Sequence, residues 1–410
     1  MNFINAYLSY TDELESPGSF FLWSAYAAVS ATLRDNCYLN LGSMNLYPNI
    51  YVVLLADSAE HRKGQGLAIT HQILSGVGNT KLIRGRSSIQ AILDDMAGTN
   101  QSTNKSLGAL KGGSCIIVAE ELAAAIVEDP SAVRILTDIY DFREEYTVNL
   151  KSTGKIHIKN NCVTMLAASN ETYLKDVYNQ GAIYGGLLGR TFLVKPNEFR
   201  AANSLLRVDP VKYDKKPLIA SLTDIAKLKG KFLLHEEAIQ VYETWYSNLR
   251  ESYRLKKDRT GVIGRIHTGV LKLAMILAVG TKTCLEITKE DMQEAIEQCT
   301  TLIPNYESYA MVSGKSELAD IGQMFLNDLI QCPDYTMDRK TFLAKHLGDT
   351  TPEQFKQLVQ LLVDAGMIQE AYGIGYAAYS LTNQALAIYK LPPRDSSKRK
   401  TKRRQDDSGL

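Results

Sequence analysis

The sequence predicts an α/β core set among helical segments, followed by a smaller mixed unit. Three observations carry this reading. Between residues 50 and 195 the apolar runs IYVVLLA, KLIRG, CIIVAEE, CVTMLAAS and TFLVK alternate with helical or loop sequence, the pattern of strands joined by crossover helices. From about residue 216 to 312 the chain reads as helical, with LKLAMILAV (271–279) as its most buried piece. Beyond residue 315, three helical stretches precede two strand-like runs.

Composition agrees with that class. A chain of 410 residues with 45% hydrophobic and 22% charged residues can bury the cores of two or three soluble domains. No apolar run reaches the ~20 residues that cross a bilayer. The start, MNFINAYLSYTDELE, lacks the basic and apolar pattern of a secretory signal, so no membrane partner is expected. Cys37, Cys115, Cys162, Cys284, Cys299 and Cys332 are scattered without a CxxC pair. That spacing disfavours zinc and disulfide frameworks and suits a reducing cytoplasm.

Residues 1–49 read as an N-terminal helical segment ending at Pro48, with SFFLWSAYAAVSATLR (19–34) apolar enough to pack on both faces. Residues 50–195 are the α/β core and 196–312 a helical, lid-like subdomain entered through Pro196 and Pro210. In 315–390, SELADIGQMFLNDLIQ and MDRKTFLAKHL read as helices. TTPEQFKQLVQLLVDAG is a third: Thr351 caps it, Pro352 takes the first helical position and Gly366 stops it. MIQEAYGIGYAAYSL then reads as two strands around a glycine-containing turn. Helices followed by a hairpin are the order of a winged helix. The exposed face of the third helix offers only Lys356 against Glu353 and Asp364, which favours a structural or weak DNA-binding role. Net charge is +1, yet PPRDSSKRKTKRR (392–404) carries seven Lys/Arg against one Asp, leaving the rest of the chain acidic. Such a basic tail (391–410) is expected to be disordered and to attract nucleic acid without specificity, or simply to solubilise the chain end.

Four motifs carry candidate chemistry. LLADSAEHRKGQG (54–66) is a strand, a polar loop, a lysine and a helix, the build of a phosphate-binding loop. Lys63 would reach the phosphates, within a loop of Ser58, His61, Arg62, Gly64 and Gln65. Arg62 replaces the usual glycine, however, and Gly64 replaces the hydroxyl residue that ligates magnesium; Gln65 could reach a magnesium-bound water. An ordinary strand-to-helix turn is the competing reading. In GSCIIVAEEL (113–122) a buried strand ends in two acids, the form of a Walker B strand. Glu120 would hold the Mg²⁺ shell through water and Glu121 would orient the attacking water. A buried strand with a chance acidic end is the alternative. CVTMLAASNE (162–171) ends in Asn170, placed as a γ-phosphate sensor. In GGLLGRTFLVKP (185–196), Arg190 precedes a strand and would act as a finger on a neighbour's γ-phosphate, or as an ion-pair partner. Arg265, in GVIGRIHTGV, is a second basic candidate, read as an intrasubunit sensor. Between the second and third motifs, YTVNLKSTGKIHIK (146–159) reads as a hairpin with Lys151 and Lys155 at its tip and Lys159 further down. Those lysines suit contact with a single DNA strand, or edge protection. SGKS (313–316) lacks a preceding strand and reads as a helix cap.

The ordered set of lysine loop, paired acids, hairpin, strand-end Asn and later Arg resembles superfamily 3 and related AAA+ helicases. Over roughly residues 3–312 the chain more closely resembles a family of phage and prophage P-loop NTPases associated with replicative helicases or primases. The matching pieces are ELESPGSFFLWSAYAAVSATL, LYPNIYVVLLADS, HRKG, IIVAEELAAAI, LKSTGKIHIKNNCVTMLAAS and GLLGRTFLV. The resemblance implies an AAA+-like P-loop NTPase core, ATP and Mg²⁺ as cofactors, and a homo-oligomer such as a hexameric ring. It also implies single-stranded or forked DNA and primase or other replication proteins as partners, in the cytoplasm of a bacterial host. Ala59–Glu60 and Gln65 depart from that family's small residue, glycine and threonine, which puts efficient hydrolysis in doubt. A non-hydrolysing loader, initiator or DNA-binding scaffold is the main alternative. A winged-helix DNA-binding protein whose core only sets oligomeric state is a further one.

Overall fold

The apolar runs of the core become five parallel strands of one sheet. The computed structural model describes residues 1–57, 61–78, 80–84, 89–98, 112–120, 130–150, 154–171, 186–196, 198–200, 203, 213–254, 258, 261–306, 317–347, 350–373, 376–389 and 391–393. Contacts divide the chain into two units, Met1–Ser313 and Gly314–Leu410. The ranges 1–49, 50–195 and 196–312 therefore share one unit.

That unit opens with α1 (Phe3–Tyr10), α2 (Gly18–Leu33), β1 (Cys37–Asn40) and β2 (Asn45–Leu46). The core follows with β3 (Tyr51–Leu55), α3 (Gly64–Leu74), β4 (Leu82–Arg84), α4 (Ile89–Ala97), β5 (Cys115–Ala119) and α5 (Pro130–Tyr140). The hairpin β6 (Arg143–Leu150) and β7 (Gly154–Asn161) leads into β8 (Val163–Ser169) and β9 (Thr191–Val194). Then come α6 (Lys216–Ile225), β10 (Gly230–Lys231), β11 (Leu233–Leu234), α7 (Glu236–Tyr253), α8 (Ile266–Lys282), β12 (Glu286–Ile287) and α9 (Lys289–Thr301).

The sheet order is β4-β5-β8-β3-β9. Every pair is parallel, as helical crossovers require. β3, β5 and β8 are buried at every position, so helices cover both faces and the strands read as unbroken apolar runs. Tyr51 points to one face, where its hydroxyl donates to Leu136 O of α5 (3.0 Å). On the other face α2 lies against α3 so closely that a Cβ on Gly66 would sit 2.7 Å from Ser24 Oγ. A side chain there would have to push the Ser24 hydroxyl aside. Ser30 Oγ of α2 also meets Thr164 Oγ1 of β8 at 2.7 Å.

The N-terminal segment is not purely helical, contrary to the expectation. β1 pairs antiparallel with β2 and parallel with β10, Cys37 opposite Gly230. The helical region is thereby tied to the N-terminal segment rather than set apart as a lid. α8 is buried from Val270 to Gly280, where Ile4 and Val29 pack against Gly280.

The second unit contains α10 (Glu317–Gln331), β13 (Thr336–Asp338), α11 (Arg339–Lys345), α12 (Pro352–Asp364), β14 (Ile368–Gly373), β15 (Tyr376–Leu381) and α13 (Asn383–Ile388). Its antiparallel sheet has the order β13-β15-β14. Phe325, Phe342 and Phe355 form its aromatic centre, with ring centroids 4.8–5.0 Å apart. Thr351 and Gln354 make a capping box, Pro352 opens the helix, and Gly366 takes φ +68° past its end. The second helix begins two residues later than its sequence suggests, because Asp338 caps it by accepting from Thr341 N while Met337 stays in a strand.

Candidate functional site

The sheet order puts the ends of β5, β8 and β3 side by side, about 4.8 Å per strand. Lys63, at the N-cap of α3, donates from Nζ to Ala56 O (2.8 Å) and Ser169 O (3.1 Å). Ala56 directly follows β3 and Ser169 ends β8. Glu120 directly follows β5 and is exposed; Asn170 directly follows β8 and is half-buried. Lys63, Glu120 and Asn170 thus gather at one edge, where a helix N-terminus adds its own N–H groups. Ser58 and Glu121 lie outside the described residues.

Two further charged residues sit at this edge that the motif reading passed over. Lys195 follows β9, and its Nζ lies 2.6 Å from Glu171 Oε1, which follows β8. Since β3 runs between β8 and β9, this pair spans the end of β3. The signal was available: each residue stands one or two places beyond a buried strand ending at the same edge.

The loop before Lys63 is bound to the N-terminal segment. Arg62 takes φ +43°, the left-handed region that glycine favours, and its Nε lies 2.6 Å from Glu15 Oε2. Ser16 Oγ donates to His61 O (3.2 Å), and Ser16 N donates to Gln65 Oε1 (3.2 Å). The Gln65 carboxamide oxygen thus accepts from Ser16. Gly64 is different: a Cβ there would meet nothing within 4 Å.

A second cluster occupies the amino-terminal edge. Arg190 Nη2 donates to Asp141 Oδ2 (2.8 Å) and Nη1 to Gly186 O (3.1 Å), with the guanidinium 5.8 Å from the Tyr140 ring centroid. Arg265 Nη1 donates to Gly261 O (3.3 Å). Burial, then the nearby charge of Arg190, lowers the pKa of Arg265. Both arginines border a cavity of about 210 Å³ that also touches His267 and Tyr306. Deeper in, Lys272 Nζ donates to Asn49 O (2.9 Å) and Asn49 Oδ1 (2.8 Å), 4.1 Å from the Tyr140 centroid. Burial pushes the Lys272 ammonium down to about 8.

Thr191 pairs with Tyr51 at the start of β3, five residues before Ala56, whose carbonyl holds Lys63. At ~3.3 Å per residue the two edges are about 16 Å apart. Arg265 therefore cannot serve Lys63 of its own chain, which corrects the intrasubunit reading. Arg190 likewise faces away from its own phosphate loop and is held in an ion pair.

The hairpin rises from this amino-terminal side. Asn161 anchors its base, donating to Ile139 O (2.9 Å) and Asp141 O (3.0 Å). Ile156 and Ile158 are buried, while Lys155, His157 and Lys159 are exposed. Lys155 stands opposite Asn149, but Lys159 stands opposite Glu145. Lys151 lies outside the described residues.

Among the described residues no group of three or more His, Cys, Asp or Glu could hold a metal ion. No described helix is long and apolar enough to cross a membrane. Neither a protein-family model nor a curated protein matches the sequence.

Proposed function

We propose that the protein is a DNA-dependent ATPase with an AAA+-like P-loop core, a ring-forming replicative helicase of a phage or mobile element that moves on single-stranded DNA. The observation that supports it most is Lys63 bridging Ala56 O, just past β3, and Ser169 O, the last of β8, at the edge that also carries Glu120 and Asn170. A lysine there would exchange carbonyl partners for phosphate oxygens, with the α3 N-terminus as a second anion site. Lys63 and the α3 N-terminus would hold the phosphates, Glu120 would reach the magnesium shell through water, and Glu121 would orient the attacking water. Bound Mg²⁺ would neutralise charge developing on the transferred phosphoryl group. Gly64 supplies no hydroxyl, so the ion would depend mainly on phosphate oxygens. Arg190 can act only on the nucleotide of a neighbouring subunit, which asks for a ring joining the two sheet edges. The second unit would be a winged helix.

ATP turnover by the full chain, with and without single-stranded DNA, tests this. DNA-stimulated hydrolysis that is lost in Glu121→Gln is expected. No turnover, and no change in that variant, would remove the motor reading.

A second reading, a non-hydrolysing loader, initiator or DNA-binding scaffold, is favoured by the loop itself. Arg62 is pinned by Glu15 in a glycine-type conformation, and Gln65 is engaged by Ser16. Weak or no Mg-ATP affinity by calorimetry, with no turnover, would support it.

A further inference from the structure

The segment after β9 carries one large aromatic that the core does not use. Phe199 is 74% exposed, and its ring rests on His61 with centroids 4.3 Å apart. His61 is itself only 8% exposed and stands two residues before Lys63. The residues flanking Phe199 are held. Glu198 Oε1 accepts from Gly18 N (3.3 Å). Arg200 Nη1 donates to Thr11 O (2.9 Å), Asp12 O (3.3 Å) and Leu14 O (3.2 Å), with its guanidinium 5.5 Å from the Phe21 centroid. Contacts on both sides therefore fix an apolar ring in water, beside the phosphate loop and backed on one side by an imidazole. An exposed phenyl face gains nothing from water, whereas a second flat ring stacked on it removes apolar surface from solvent.

We propose that Phe199, backed by His61, is the platform on which the base of the bound nucleotide stacks. This rests on the reading of Lys63 as the phosphate contact. The ligand class is a nucleoside triphosphate whose base is held by its π-face. Every base has such a face, so all four are accepted, with the larger purines tighter. Phe199 thereby sets how much the base adds to affinity, and Lys63 sets what the phosphates add.

Calorimetry on the full chain with ATP, CTP and inorganic tripolyphosphate, each with magnesium, separates the two contributions. Wild type should bind ATP about tenfold or more tighter than tripolyphosphate, a gap in the range of one base–aromatic stack. Phe199→Ala should close most of that gap and leave tripolyphosphate affinity unchanged. Phe199→Trp should keep the gap, and Phe199→Leu, apolar but not aromatic, should not. The exposed position lets each variant fold, which matching thermal melts would verify. Equal ATP affinity in wild type and Phe199→Ala would overturn the platform while leaving the phosphate site standing. Parallel loss of ATP and tripolyphosphate binding in Phe199→Ala would mean a structural ring, and also overturn it. If Phe199→Ala weakened a labelled oligothymidine but not ATP, the ring would belong to the DNA path, and the proposal would fail. If wild type bound neither ATP nor tripolyphosphate, the phosphate-site reading would fall, and the platform with it.

Discussion

At the carboxyl-terminal edge of the sheet, Lys63 and Lys195 are held at the surface by two main-chain carbonyls and one carboxylate. At the amino-terminal edge, Lys272 and Arg190 are held by Asn49 and Asp141 beside the Tyr140 ring, and Arg265 by Gly261 O. One sheet thus carries cations at both ends under different constraints. Partly exposed contacts contribute little and can be traded for a better anion, whereas breaking a buried contact leaves a desolvated polar group behind. The contrast predicts that substituting the part-buried Lys63 changes binding and substituting the buried Lys272 changes folding.

The largest expected effect is on ligand affinity. Lys63→Ala should weaken tripolyphosphate and ATP binding by about 100-fold, the scale of losing charge-assisted hydrogen bonds to phosphate. Its melting temperature should fall less than that of a Lys272 variant, because the Lys63 contacts are part-buried whereas those of Lys272 are buried. Calorimetry and a thermal melt on the same sample check both halves. A large loss of stability with unchanged binding would break the contrast.

Lys272→Met should do the reverse. It leaves Asn49 O and Oδ1 without their buried donor, for a net cost of about 2 kcal/mol read by urea unfolding. The pH dependence follows from the lowered pKa. With a folded value of about 8, below its ordinary one, the unfolded chain holds more protons than the folded one between about pH 8 and 10. Stability contributed by this group should therefore increase with pH across that window and be flat below it. The difference between wild-type and Lys272→Met unfolding curves isolates that slope, since buried tyrosines titrate in both.

Much of this contrast is absent from the sequence for a physical reason. The strands of the core were legible because burial on both faces demands unbroken apolar runs, and the residues just past them were legible as acids, amides and a lysine. Sheet order was not. That β8 inserts between β5 and β3, bringing Ser169 O to Lys63, is a long-range pairing with no local signal. The same holds for β1 against β10, whose two-residue partner has no pattern of its own. Arg265 illustrates the limit from the other side: a basic residue opening a helix reads the same at either edge, and only the fold puts it beside Arg190. The alternation of Ile156 and Ile158 with Lys155, His157 and Lys159 did show in the sequence, because period two needs no partner to be seen.

A smaller gain is expected from repairing the loop. Gly64→Ser places a hydroxyl where a Cβ meets nothing within 4 Å, at the first helical position after Lys63. If the carboxyl-terminal edge is a magnesium-nucleotide site, the variant should bind Mg-ATP about tenfold tighter, the scale of one hydrogen bond to a charged group, and tripolyphosphate without magnesium equally well. The titration with and without magnesium decides this. An equal gain in both would assign the improvement to the helix N-terminus instead.

The smallest effect is expected on the hairpin at the amino-terminal side, where the two described lysines are not equivalent. Lys155 faces Asn149 across the strands, so its charge is available to a DNA phosphate, while Lys159 faces Glu145. Fluorescence anisotropy with a labelled single strand should show Lys155→Ala weakening binding a few-fold. It should also lower the salt dependence by ~0.7 in log–log slope, the value for one phosphate contact on a single strand. Lys159→Ala should change the slope less, and Glu145→Gln should raise affinity by removing the negative charge across from Lys159. Equal slopes for Lys155→Ala and Lys159→Ala would mean that the cross-strand carboxylate does not screen its partner. The row would then act as a uniform basic face.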